Sequence, residues 1–131
     1  LDTSYVKRLF NIDKDEYMCK LDIVKTTEIY KGETAIAECR ASNPNIRVVS
    51  SMAADDMLNI SGIKAAFVLY RIDNDVFISA RSLGELNVQL IMEKLGGGGH
   101  MTVAGAQLKN TDITKAMYSL KEAIDKYLSE K

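Results

Sequence analysis

Four consecutive glycines, Gly96 to Gly99, followed at once by the only histidine, His100, constrain this chain more than any other stretch. Each glycine loses more backbone freedom on folding than any other residue, and a helix stop needs only one of them. A fold that keeps four must put bare backbone to use. Lacking Cβ atoms, Gly97, Gly98 and Gly99 let several N–H groups face one concavity, so that an anion or a flat base can approach the main chain. Phosphate is the leading ligand. The run is not a Walker loop, because His100 stands where lysine would follow the last glycine. It is not a dinucleotide fingerprint either, because Met101 and Thr102 fall where a third glycine is required.

The flanking segments alternate between the two hydrophobic periods. Tyr17, Met18, Leu21 and Val24 predict a helix from Asp13 to about Thr27, with Asp13 and Glu16 at capping-box spacing. Glu28–Tyr30 and Thr34–Glu38 around Lys31-Gly32-Glu33 read as a short hairpin, and Ala41 to Asn45, with the only proline, as an exposed loop. Val48, Val49, Met52, Ala53, Met57 and Leu58 predict a second helix. Residues 65–71 and 76–80 are rich in strand formers and enclose Asp73-Asn74-Asp75, which predicts a central antiparallel hairpin. Asn87 caps a third helix through Leu95, Val103 to Leu108 returns as a strand, and Ile113 to Leu128 is the clearest amphipathic helix. The expected fold class is α/β (α+β): a small mixed central sheet with helices packed on its faces.

Composition excludes several classes. At 131 residues and 47% apolar content the chain can bury a core of its own. Seventeen basic against eighteen acidic residues leave a formal charge of -1, too balanced to hold duplex DNA by charge. Cys19 and Cys39 lack disulfide-framework or zinc spacing, so they read as free thiols in a reducing, cytoplasmic compartment. No run reaches the roughly 20 apolar residues of a membrane span. Leu1-Asp2-Thr3 carries no initiator Met, which predicts a piece of something longer.

Several residues are candidates for chemistry. His100 can donate to a phosphate oxygen or stack on a base, and its position directly after the glycines favours that over an idle loop histidine. Arg81, with Ser82, ends a predicted strand; it forks onto a phosphate or sits as a surface arginine at a sheet end. Asn87 serves as a helix cap and can serve a ligand as well. The Asp55-Asp56 pair reads as the solvated edge of a helix rather than a catalytic dyad.

Read together, Ile78-Ser79-Ala80-Arg81-Ser82, Asn87-Val88-Gln89, Gly96 to His100 and Ala104-Gly105-Ala106 resemble the DHH-associated domain. This is the C-terminal lobe of DHH-superfamily phosphoesterases. The wording between Ser79 and Gln107 is most similar to GdpP-type cyclic di-AMP phosphodiesterases. The resemblance implies that residues 28–131 form the substrate-binding domain and residues 1–27 a helical connector from a DHH lobe. It implies that Arg81, Ser82, Asn87, Gly97, Gly98, Gly99 and His100 hold a cyclic dinucleotide or a short adenine-containing nucleotide. Two manganese ions would sit in the separate DHH lobe of the same chain, and the whole enzyme would convert cyclic di-AMP to 5′-pApA. Membrane helices and a sensor would precede Leu1, and the exposed lobe interface would permit a homodimer.

The chain departs from such an enzyme in having one histidine and no Asp-His-His triplet, so this fragment alone is expected to be inactive and without a metal of its own. Three alternatives stand beside this reading. One is the lobe of an oligoribonuclease of the same superfamily. Another is a non-catalytic RNA-binding module like those appended to alanyl-tRNA synthetases, and a third is a purely structural domain.

Overall fold

The computed structural model describes residues 12–131. Its first helix, α1 (Lys14–Lys25), begins where the sequence predicts, with Asp13 accepting from the Glu16 amide at 2.8 Å. The reciprocal half of the capping box does not form: the Glu16 carboxylate accepts instead from the Asn45 side-chain amide. That contact and the ion pair of Lys20 with Asp56 at 3.0 Å clamp α1 to α2 (Ile46–Met57). Ile23 is fully buried. Thr26 Oγ1 donates to the Ile23 carbonyl and accepts from the Glu38 amide, at 2.7 and 2.9 Å. Of the predicted connector, residues 1–11 lie outside the described residues, and α1 packs on this core.

Strands β1 (Glu28–Tyr30) and β2 (Thr34–Cys39) form the expected hairpin. The hairpin of β3 (Ala65–Ile72) and β4 (Asp75–Ser82) turns on Asp73, whose φ of 55° is one that Asp tolerates. Alternation within each strand does not reveal how the hairpins join. They join by a parallel pairing of β2 with β3 through α2, because a parallel connection needs a crossover segment and α2 supplies it. After α3 (Val88–Glu93) come β5 (Gly98–Gly99), β6 (Val103–Leu108) and α4 (Ile113–Glu130). The sheet order is β1-β2-β3-β4-β6-β5, mixed as expected, with helices on both faces.

Burial explains the layering. The first six residues of β3 are buried on both faces, which makes it the central strand. One face carries Ile36, Phe67, Leu69 and Ile78 against Ile91, Met92, Leu120 and Ile124 of α3 and α4. The other carries Ala37, Ala66, Val68 and Tyr70 against Ile23, Val49, Ala53 and Met57 of α1 and α2. Within the first layer α3 is tied to α4: the Asn87 amide donates to Tyr127 Oη at 2.9 Å, while Asn87 Oδ1 caps α3.

The fold also brings together two thiols that the sequence keeps twenty residues apart. Cys19 and Cys39 are both free and line the same cleft, between α1 and the end of β2. Burial, reinforced by the Cys39 thiol, pushes Cys19 up to about 11. Only a thiolate alkylates, so at pH 8 iodoacetamide should modify Cys19 on the order of a hundredfold more slowly in the native protein than in urea. Equal rates by mass spectrometry would show that the thiol is not protected. Because the folded state holds this proton more tightly than the unfolded one, its contribution to stability is complete below about pH 9. It is lost as pH rises through the folded value.

Candidate functional site

The site residues named from sequence divide into two sets. Arg81 and Gly97 line an open groove of about 510 Å³ on the α2 side of the sheet. Its floor is Phe77, Ser79 and Arg81 of β4 with Val103, Gly105 and Gln107 of β6, and its wall is Arg47 and Ser51 of α2. The groove exists because α2 covers β3 and β4 on this face, while β6 takes its helical cover on the other. Val103 and Gln107 are left exposed.

Arg81 is nearly covered, its side chain only 16% exposed. Its Nη1 donates to the Ala80 carbonyl at 2.8 Å and its Nε lies 3.5 Å from Asp55 Oδ1. Among the described residues its Nη2 has no partner, so part of the guanidinium fork remains for an incoming anion. Asp55, read from sequence as a solvated helix edge, is 63% exposed and meets Arg81 from outside the groove lining.

The glycine run works differently at each position. Gly96 N–H bonds to the Glu93 carbonyl and Gly97 N–H to that of Met92, at 3.1 and 2.8 Å; with Gly96 at φ 81° this closes α3 as a Schellman motif. The helix ends at Glu93, two residues before the predicted Leu95. A Cβ on Gly97 would lie 2.1 Å from the Gly105 carbonyl oxygen, and one on Gly99 would lie 2.6 Å from Ala104 Cα. These two are glycine because β5 is pressed against β6, a structural need the sequence could not show. Gly98 is different: it has no positive φ and nothing within 4 Å of its Cβ position. Neither packing nor strain accounts for it.

Ser82, Asn87, Gly98, Gly99 and His100 do not line the groove. Ser82 is buried, its Oγ donating to the Met101 carbonyl at 3.2 Å, which also accepts from the Val88 amide at 3.0 Å. The same turn is held by the Ser82 amide on Thr102 O and the His100 amide on Val103 O, at 3.0 and 2.7 Å. The end of β4, the cap of α3 and the glycine–histidine turn thus meet at one end of the sheet. Gly99 and His100 are exposed there, and the imidazole makes no hydrogen bond among the described residues.

Residues 32–130 match the DHHA1 domain. The chain belongs to this family. The chain is 42% identical over 127 residues to the cyclic-di-AMP phosphodiesterase PdeA of Listeria monocytogenes, covering 96% of this chain and 19% of that protein. It is 40% identical over 129 residues to the cyclic-di-AMP phosphodiesterase GdpP of Bacillus subtilis, covering 96% and 20%. The chain thus spans about one fifth of the length of these curated relatives. An exopolyphosphatase-related protein from Bacteroides fragilis superposes with a TM-score of 0.80 at 18% identity, over 97% of this chain and 39% of that one, which shows the shared fold.

The groove of this DHHA1 domain suits a phosphorylated ligand: its lining holds Arg47 and Arg81 and no carboxylate. A second cleft, about 430 Å³ between α1 and the end of β2, is lined by Asp15, Asp22 and Glu38 against a single Arg40 already paired with Glu38 at 2.9 Å. That balance repels phosphate. Arg47, Ser51 and Phe77 escaped the sequence reading because their meeting depends on how α2 lies over β4. Among the described residues no three His, Cys, Asp or Glu side chains converge as metal ligands, and no helix is long and apolar enough to cross a membrane.

Proposed function

We propose that this domain is the substrate-binding lobe of a cyclic di-AMP phosphodiesterase. The observation that carries the reading is the carboxylate-free groove ending on the partly uncommitted Arg81, beside a turn of glycines and His100. The 42% identity to the Listeria enzyme supports it. Arg81 binds a phosphate oxygen by charge-assisted hydrogen bonds. The glycine turn and the His100 imidazole close around the nucleotide from the sheet end, and Ser82 and Asn87 hold that turn in place. Two manganese ions would be held by a separate DHH lobe; among the described residues here no three His, Cys, Asp or Glu side chains converge to hold them. The domain alone is inactive on this reading and supplies binding and orientation.

An NMR titration of the 131-residue chain with 5′-pApA and cyclic di-AMP tests the reading. Shifts at the Gly96–His100 amides and Arg81 Nε, abolished by His100→Ala and Arg81→Ala, are expected. Stronger binding of the linear than the cyclic dinucleotide would move the reading to an oligoribonuclease lobe. Shifts only at the α1–β2 cleft, or none with either ligand, would overturn it.

A further inference from the structure

We propose that Arg47, stacked on Phe77, is the platform on which the nucleobase of the ligand rests; this builds on the substrate-lobe reading above. The Arg47 guanidinium carbon lies 4.4 Å over the Phe77 ring centroid. Phe77 is itself stacked on Tyr70, with centroids 5.7 Å apart and planes 17° from parallel. Tyr70 is almost fully buried, so the stack is anchored in the core and grows outward to an exposed arginine. Among the described residues no carboxylate pairs with Arg47, in contrast to Arg81 with its Asp55. A guanidinium supported on one side by an aromatic ring keeps its orientation and offers its other side to a flat ligand. Bases stack on arginine planes as they do on aromatic rings.

The floor beside this stack favours a flat occupant. Midway between Phe77 and Arg81 it is Ser79 beside Gly105, which raise no side chain larger than a hydroxymethyl group. Phe77 and Arg81 stand on one face of β4, four residues apart, so their Cα atoms are roughly 13 Å apart. A ligand engaging both must be extended, with an anionic end and a flat end. A nucleotide has that form, with phosphate at Arg81 and base over Arg47. Inorganic phosphate does not.

The test compares AMP with ribose 5-phosphate on the 131-residue chain and on Arg47→Lys, which retains the charge and loses the plane. Affinity is read by calorimetry and position by side-chain NMR of Arg47, Phe77 and Arg81. AMP should perturb all three, and ribose 5-phosphate only Arg81. The substitution should weaken AMP about tenfold, from the loss of one base stack, and leave ribose 5-phosphate within about twofold. Equal weakening of both ligands would make Arg47 a phosphate contact, and unchanged AMP affinity would remove it from the site. Either result overturns the platform and leaves the substrate-lobe reading standing. Failure of both ligands to perturb the groove in the unsubstituted chain would overturn that reading, and the platform with it.

Discussion

Gly97→Ala should destabilise the domain by about 3 kcal/mol, the upper range for a forced overpacking. The new methyl would lie 2.1 Å from the Gly105 carbonyl oxygen and 2.7 Å from both Ala106 Cα and Cβ. No flexible side chain can yield there, because the obstruction is the main chain of β6. Relief requires lifting β5 off β6, which breaks the pairing of Gly98 with Gly105 and Gly99 with Ala104. Gly98→Ala is the control. Its Cβ points into open space from a backbone that any residue adopts, so its stability should stay within about 1 kcal/mol of the parent. Urea unfolding reads both as a shift in midpoint at constant slope. Similar losses for the two variants would mean that close packing does not explain the run.

Arg81→Ala should weaken nucleotide binding roughly 30-fold, since a charge-assisted hydrogen bond to a ligand is worth about 2 kcal/mol. Its effect on folding should be small. The arginine's partners are the carbonyl of its own neighbour Ala80 and Asp55, a carboxylate 63% exposed, and such ion pairs contribute about 1 kcal/mol at most. Asp55→Asn separates the two roles of this arginine. If Asp55 only occupies a guanidinium that a phosphate would take, its neutralisation should maintain or raise affinity. Calorimetry of the three proteins decides: a loss in Asp55→Asn as large as in Arg81→Ala would mean that the ion pair positions Arg81. Unchanged binding in Arg81→Ala would remove it from the site.

The glycine run shows how far residue types alone carry. A cluster of glycines ending in histidine announces close backbone approach, but not what approaches. For Gly97 and Gly99 the answer is β6 of the same chain, and for Gly96 it is the end of α3. Only Gly98 is left without an intramolecular reason. Local chemistry at Asp13, Asn87 and the Asp73 turn was legible for the opposite reason. A cap or a turn is decided by atoms a few residues away, so the sequence contains the whole interaction.

By itself, then, the sequence determined the helices and every strand except β5, the caps at Asp13 and Asn87, the Asp73 turn, the mixed layered architecture and the kinship of the stretch from Ser79 to Gln107. Each of these is set by periodicity or by neighbours along the chain. The parallel joining of β2 to β3, the meeting of Cys19 with Cys39, the reach of Asp55 to Arg81 and the stacking of Arg47 on Phe77 were decided only in three dimensions. Each depends on which residues of one element face another across the core. That register comes from burying both faces of the sheet at once, a condition no single segment carries.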